Sequence, residues 1–182
     1  MSDICKVLIS EEEIDEIVSR VAKEIDRDYK DIDGRIVLVC VLKGSIVFMG
    51  DLMKKLTVPV EIECVRASSY GAGTSSSGEV KLTLDVNRAD IAECNLIIVE
   101  DIIDSGLTLT YLVDHFEKKG AKSVKTVTLL DKPSRRKVEF VPDYIGLEIP
   151  DEFVIGYGLD YAEKYRALPF VGVLKPEVYL GE

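Results

Sequence analysis

Acidic and small polar residues are concentrated in one short segment of this 182-residue chain, residues 100–108. The pair Glu100-Asp101 follows the apolar run Leu96-Ile97-Ile98-Val99, and the triplet Asp104-Ser105-Gly106 precedes a stretch with helical spacing. Small residues and hydroxyls at the start of a helix let backbone N–H groups and the helix dipole face a phosphate dianion. Carboxylates beside such a phosphate cup suit sugar hydroxyls or a magnesium ion. The combination predicts a site for a sugar phosphate.

Each of these residues also has an ordinary structural interpretation. An isolated acidic pair after a strand is most often a solvated loop, and Asp104 is suitably placed to cap the following helix. The functional interpretation is favoured because strand, acids, Asp104, small residues and helix occur in this order. A capping role and a catalytic role for Asp104 are compatible, and both are kept.

The elements that must position this segment alternate along the chain. Apolar runs at 35–42, 96–99 and 124–130 predict strands covered on both faces, and the residues of 46–56 and 107–119 have helical patterns. This alternation predicts βαβ units and an α/β fold, with an open, mainly parallel twisted sheet flanked by helices. Ligands bind such sheets at the carboxyl ends of the strands, where the acidic segment falls.

The two ends of the chain carry different signals. Ser10-Glu11-Glu12-Glu13 reads as a capping box at the start of an amphipathic helix, and residues 58–65 alternate as a strand would. From Val141 onward, short apolar runs are interrupted by prolines, which predicts a small irregular hood over the edge of the sheet. We expect one domain spanning residues 1–182.

A Gly/Ser-rich tract extends from Ser68 to Gly78 and cannot hold a packed core. It is either an interdomain linker or a loop over a binding site, and the linker is disfavoured because its flanks are too small for two domains. We predict a lid that includes Ser68, Ser69 and Tyr70. No basic residue lies between Ser68 and Lys81, so the lid would exclude water without adding positive charge.

Composition excludes several classes of protein. The formal charge of -10 argues against a nucleic-acid surface, and no apolar run is long enough to span a membrane. The first residues lack the pattern of a signal peptide, so we expect a cytoplasmic protein. The four cysteines have no C-x-x-C pair and predict buried free thiols, and the single histidine, His115, makes a His-based metal site or triad improbable.

The segment Leu96 to Thr108 resembles the phosphoribosyl pyrophosphate signature of type I phosphoribosyltransferases, in particular the hypoxanthine and hypoxanthine-guanine members. Further segments resemble that family in the same order and cover the chain from about Leu38 to Tyr179: Leu42-Lys43-Gly44-Ser45, Ser68-Ser69-Tyr70, Leu130-Asp131-Lys132 and Phe153 to Tyr161. The resemblance implies a cis peptide between Leu42 and Lys43. The stretch after Lys132 is variable in the family, so neither Arg135 nor Arg136 is assigned a role.

The resemblance also implies site residues. Asp104 would act at N7 of a purine as general base or by stabilising the proton there, Lys132 would donate to the 6-oxo group, and Phe153 would stack on the base. Ile102, the Val154 backbone and Asp160 would complete the purine site, and Glu100, Asp101 and Asp160 would serve Mg²⁺. Phosphoribosyl pyrophosphate would be bound by these residues: Lys43, Gly44, Glu100, Asp101, Asp104, Ser105, Gly106, Leu107, Thr108 and Arg166. From sequence alone, Lys132 could equally be a solvated lysine and Phe153 a core residue.

The implied activity is purine salvage: transfer of 5-phosphoribosyl to N9 of hypoxanthine, and also of guanine, giving IMP or GMP and pyrophosphate. The expected partners are phosphoribosyl pyrophosphate and a 6-oxopurine base, with no nucleic acid and no membrane, in a homo-oligomer (dimer or tetramer). A regulator that senses phosphoribosyl pyrophosphate is the alternative outside enzymes, although the acidic chain offers no nucleic-acid surface. Within enzymes, a relative directed to xanthine or pyrimidines stays open.

Overall fold

The computed structural model describes residues 3–69 and 80–180, and the side chains of residues 68 and 69 are outside this description. Nine strands and four α-helices are present in these ranges. The strands are β1 (Ile4–Ile9), β2 (Arg35–Val41), β3 (Glu61–Ser69), β4 (Val80–Leu84), β5 (Cys94–Ile103), β6 (Ser123–Asp131), β7 (Tyr144–Glu148), β8 (Val154–Ile155) and β9 (Val171–Leu174). The helices are α1 (Glu11–Tyr29), α2 (Ile46–Lys55), α3 (Leu107–Lys118) and α4 (Pro176–Leu180), with 3₁₀ turns at Ile91–Glu93 and Pro133–Arg135.

Six strands form the main sheet in the order β4-β3-β2-β5-β6-β7. All neighbours in it are parallel except β3 and β4, which pair antiparallel at one edge. The central strands are apolar and buried on both faces, as a sheet covered by helices requires. The predicted open, mainly parallel sheet is confirmed.

Helices cover both faces of this sheet and create two cores. Buried side chains of α1 and α2 pack on one face together with Ile36, Leu38 and Cys40 of β2. On the other face, α3 packs against Val37 and Val39 of the same strand, because successive strand residues point to opposite sides. The capping box at the start of α1 is also confirmed: Glu13 N donates to Ser10 Oγ, and Ser10 N donates to the Glu13 carboxylate.

The hood differs from the prediction, because Tyr144–Glu148 joins the main sheet as its edge strand β7 and the remaining part is more regular than expected. Strands β1, β9 and β8 form a three-stranded antiparallel sheet, so the first residues of the chain pair with the last strand. Strand β1 was not predicted, because three of its six residues are exposed and its sequence shows no period-2 alternation. The connection between β8 and β9 is irregular, with left-handed backbone at Tyr157, Ala162, Glu163 and Tyr165.

Several bounds differ from the predictions. Strand β5 continues to Ile103, so Glu100 and Asp101 lie within a strand and not in the loop after it. The cysteines are free, and Cys40 and Cys94 are buried as expected, whereas Cys64 is half-buried and Cys5 is exposed. His115 lies on α3 and hydrogen-bonds to Asp85. In the described part of the chain, no helix combines the length and apolarity needed to cross a membrane.

Candidate active site

The loop between β5 and α3 contains the residues that the sequence predicts to bind a phosphate, Ser105, Gly106 and Thr108, named here the phosphate cup. Gly106 is the N-cap of α3 and has a left-handed backbone with φ of 81°, a conformation that favours glycine. The N-cap is Gly106 and not Asp104, so the N-cap interpretation of Asp104 is wrong, and Ser105 Oγ accepts from Leu107 N at 3.3 Å at the start of the helix. The cup opens on a small cavity of about 110 Å³ that Glu100 and Asp104 also line. Free backbone N–H groups at the helix start can therefore face an anion.

Glu100 and Asp101 bring two carboxyl groups to the end of β5. Glu100 Oε2 is shielded from solvent and has no hydrogen-bond partner, and Asp101 is 9% exposed, with its Oδ1 accepting from Ile102 N at 2.8 Å. Burial, and secondarily the charge of Asp101, raises the pKa of Glu100 well above its usual value. Burial likewise raises the pKa of Asp101, to about 6. A shielded carboxyl oxygen without a partner, beside a second carboxyl group, is suited to receive a cation or a hydroxyl group.

The loop Leu42 to Ser45, named here the Gly44 loop, is held against Asp101 and the hood. Its Leu42-Lys43 peptide is cis, as the resemblance implied. A Cβ at Gly44 would lie 1.6 Å from Asp101 Oδ2, and a Cβ at Gly158 would lie 2.1 Å from Gly44 O. Three separate segments therefore meet at Gly44, and only glycine permits this approach.

The cations beside this loop are paired with acidic groups of the hood. Lys43 Nζ lies 3.0 Å from the Glu163 carboxylate. Arg166 contacts Asp160 at 2.9 Å and Glu163 at 3.4 Å, and it donates to Gly158 O at 2.8 Å. Asp160 Oδ2 also accepts from Glu163 N. These pairs keep two positive side chains next to the Gly44 loop.

A second cavity, of about 350 Å³, lies on the other side of Asp104. Lys132 is only 7% exposed although it follows a strand end, and its Nζ is 3.8 Å from Asp104 Oδ1. Phe153 is partly exposed, stacked on Tyr179 at 4.7 Å and in edge contact with Tyr161 at 5.7 Å. A flat ring wall and a buried ammonium suit a planar heterocycle with an acceptor. The lining includes Ile102, Asp104, Lys132, Phe153, Val154 and Asp160.

Comparison with known proteins identifies the family. The model described as "Phosphoribosyl transferase domain" matches residues 10–162. This chain belongs to the phosphoribosyltransferase family.

Relatives within this family are similar over nearly the whole chain. A hypoxanthine-guanine phosphoribosyltransferase of Bacillus subtilis is 52% identical over 177 residues and covers 97% of each sequence. The bifunctional protein TilS/HprT of Listeria monocytogenes is also 52% identical, but the chain spans only 27% of its length. A crystal structure of a hypoxanthine phosphoribosyltransferase from Staphylococcus aureus superposes with a TM-score of 0.91 at 43% identity, covering 98% of this chain and 95% of the other.

The phosphoribosyltransferase fold brings most of the predicted site residues to the carboxyl edge of the sheet. The predicted metal ligands are less closely grouped: among residues 3–69 and 80–180, no three Asp, Glu, His or Cys side chains form a metal-binding cluster. Asp160 is paired with Arg166. Of the predicted lid, Ser68 and Ser69 end β3 and pair with β4, whereas Tyr70 to Gly78 lie outside the described residues.

Three residues that contact the predicted site residues of this phosphoribosyltransferase were not found from the sequence. Tyr179 stacks on Phe153, Glu163 pairs with Lys43, and Arg136 contacts the loop that carries Asp104. Tyr179 and Glu163 belong to hood segments whose contacts depend on tertiary folding and leave no periodic signal. Arg136 was recognisable only as a basic residue shortly after Lys132.

Proposed function

We propose that this chain transfers the 5-phosphoribosyl group of phosphoribosyl pyrophosphate to N9 of hypoxanthine, and also of guanine, releasing pyrophosphate and IMP or GMP. The observation that carries the proposal is the buried Lys132 ammonium, 3.8 Å from the Asp104 carboxylate in a cavity beside the phosphate cup. A base in that cavity would lie next to a phosphoribosyl group held at the cup. The names of the similar proteins agree with this substrate pair.

The roles of the individual residues follow from their chemistry. Backbone N–H groups at 105–108 would hold the 5-phosphate, and the Gly44 loop with Arg166 would hold the pyrophosphate. As N9 attacks C1 of the ribose and pyrophosphate departs, Asp104 would take or stabilise the proton at N7. Lys132 would donate to the 6-oxo group, while Phe153 and Ile102 would enclose the base and Val154 would contact its edge through the backbone.

Magnesium fits the carboxyl groups of this site. The unpartnered Oε2 of Glu100 and the adjacent Asp101 supply hard oxygen ligands, and Asp160 would assist from the hood. Proteins commonly hold Mg²⁺ through one or two carboxylates together with substrate phosphates, so a dedicated protein cluster is not required. When bound, the ion would neutralise charge on the departing pyrophosphate. Glu100 and Asp101 would also accept hydrogen bonds from the ribose hydroxyls.

The chain is also proposed to form a homo-oligomer, a dimer or tetramer, in the cytoplasm. Ile46 and Met53 lie seven residues apart on α2 and are 53% and 37% exposed, so they share one apolar face. Sedimentation velocity would give the stoichiometry.

Base selectivity provides the test of this function. We expect kcat/KM for adenine to be about 10⁴-fold below that for hypoxanthine, because an amino group set against an ammonium leaves both buried donors unpaired. Steady-state assays with hypoxanthine, guanine, xanthine and adenine, phosphoribosyl pyrophosphate and Mg²⁺ measure this. Lys132→Ala should lower both the rate and the discrimination. A kcat/KM for adenine within tenfold of that for hypoxanthine would contradict the 6-oxopurine assignment. A higher kcat/KM for xanthine would make xanthine the substrate instead.

A further inference from the structure

Arg136 joins the ends of two neighbouring strands beneath the site. Its Nη1 donates to the carbonyl oxygen of Ile103, the last residue of β5, at 3.3 Å. The same Nη1 donates to the carbonyl oxygen of the next residue, Asp104, at 2.7 Å. Its Nη2 donates to the carboxylate of Asp131, the last residue of β6. The side chains of Arg136 and Asp131 are only 15% and 8% exposed. One guanidinium therefore bridges the loop that carries Asp104 and the strand that leads into Lys132.

We infer that Arg136 is a positioning residue that sets the separation between the Asp104 carboxylate and the Lys132 ammonium. The inference rests on the roles proposed above for these two residues. Arg136 contacts the backbone of Asp104 directly, and it contacts Lys132 through the preceding residue, Asp131. A planar guanidinium fixes the directions of several N–H donors at once, which a lysine ammonium on a flexible stem does not.

The stem of Arg136 also supports the phosphate cup. A Cβ at Gly106 would lie 3.0 Å from Arg136 Cδ and 3.1 Å from a methyl group of Val138, so the cup rests directly on these side chains. Arg136 thus touches the floor of the cup with its methylenes and the Asp104 carbonyl with its guanidinium. The geometry of base and phosphate subsites would be coupled through this one side chain.

Backbone hydrogen bonds keep the two segments together without the guanidinium. Lys132 N donates to Ile103 O at 3.0 Å, and Lys137 N donates to Ser105 O at 2.9 Å, on either side of Arg136. Removal of the guanidinium should therefore leave the loops folded while loosening the separation of their side chains. Variants at this position can be assayed as folded enzymes.

The chain supplies a matched control in the adjacent arginine. The Arg135 side chain also lines the cavity proposed for the base, is 61% exposed and pairs with Asp151, and it shares none of the hydrogen bonds that the Arg136 side chain makes to the strand ends. Arg135→Met and Arg136→Met make the same chemical change one residue apart. A general effect of removing positive charge near the cavity would appear in both variants.

The experiment compares kcat/KM for hypoxanthine and adenine in wild type, Arg136→Met, Arg136→Lys, Asp131→Asn and Arg135→Met. The ratio of the two values is independent of the fraction of active enzyme, so loss of stability alone cannot change it. We expect Arg136→Met to lower the hypoxanthine-to-adenine ratio at least tenfold, since a displaced ammonium discriminates less well. Asp131→Asn should change the ratio in the same direction, Arg136→Lys should restore only part of it, and Arg135→Met should stay within twofold of wild type.

Each outcome decides the inference. If adenine turnover is too slow to measure in wild type, its detection in Arg136→Met supports the inference, and its continued absence overturns it. An unchanged ratio in Arg136→Met, or an equal change in Arg135→Met, also overturns it. If Lys132→Ala lowers the ratio and Arg136→Met does not, the positioning role fails while the proposed function stands. If Lys132→Ala leaves the ratio intact, Lys132 does not select the base, and the positioning role inferred for Arg136 is overturned with it.

Discussion

At the scale of single residues, Glu100 is a half-buried carboxyl group whose shifted pKa lowers the stability of the protein as the pH rises. Its Oε2 is shielded and has no partner, and burial raises its pKa well above the usual value. Above the unfolded-state pKa of about 4.3, the unfolded chain releases this proton and the folded protein retains it. The contribution of Glu100 to stability is therefore lost progressively as pH rises toward its folded-state pKa. A residue of this kind is expected where a ligand will satisfy it.

We predict that Glu100→Gln stabilises the free protein and impairs the enzyme. The amide has no charge to desolvate, so the free energy of unfolding at pH 8 should increase by about 1–3 kcal/mol. The gain in the free energy of unfolding should be smaller at pH 5. At that pH, wild-type Glu100 is protonated to a greater extent in both the folded and the unfolded chain. Urea denaturation at the two pH values measures the gain, and kcat/KM for phosphoribosyl pyrophosphate measures the loss. Equal or lower stability of the variant at pH 8 would contradict this account.

At the scale of elements, the Gly44 loop is fixed by its neighbours and not by its own sequence. Asp101 of β5 lies on one side of Gly44, and the turn at Gly158 of the hood lies on the other. The approach is so close that any side chain at Gly44 must displace one of these segments. The loop, the strand end and the hood are therefore adjusted to one another as a unit.

We predict that Gly44→Ala lowers kcat/KM for phosphoribosyl pyrophosphate by about 100-fold, the effect expected when catalytic groups are displaced by about 1 Å. The new Cβ would lie 1.6 Å from Asp101 Oδ2, so the carboxylate or the loop must move. Gly50→Ala is the control, because a Cβ at Gly50 of α2 meets nothing within 4 Å. We expect that variant to retain activity and to gain about 0.5–1 kcal/mol in helix stability. Comparable kinetics of the two variants would exclude the close contact.

The sequence predicted those elements whose stability comes from local patterning. The capping box of α1, the apolar runs of β2, β5 and β6, and the helix after Gly106 were found, because periodicity and caps are local signals. Strand β1 was missed because its pairing partner, β9, lies at the other end of the chain. Likewise, the acids at 100 and 101 could be recognised by type, but their burial follows from the packing of the Gly44 loop and the hood.

At the scale of the whole molecule, the proposed substrate would contact parts that come from distant regions of the chain. The phosphate cup belongs to the main sheet, the Gly44 loop follows β2, and Arg166 belongs to the hood. Phosphoribosyl pyrophosphate carries a phosphate at one end and a pyrophosphate at the other, so it would contact all three. The protein has a formal net charge of -10, so binding of this polyanion must depend on local cations and N–H groups.

We therefore predict that phosphoribosyl pyrophosphate and Mg²⁺ together raise the Tm more than either does alone. At 100 times the Kd, binding to the folded state contributes about 2.7 kcal/mol, which for a chain of this size is a shift of about 5–10 °C. With EDTA the shift should shrink, because the ion that would join the pyrophosphate to the oxygens of Glu100 and Asp101 is then removed. Ribose 5-phosphate, which can occupy only the cup and the ribose subsite, should give a smaller shift that does not depend on Mg²⁺.

Two variants make this test specific. In Glu100→Gln the Mg²⁺-dependent part of the shift should be lost, since the ion would lose one of its two carboxylates on β5. In Lys132→Ala the shift should be retained, because Lys132 lies in the cavity proposed for the base. Differential scanning fluorimetry with each ligand, with and without EDTA, gives all of these values. A Tm shift in wild type that does not depend on Mg²⁺ would show that Glu100 and Asp101 do not bind the metal. Their carboxyl groups would then bind only the ribose hydroxyls.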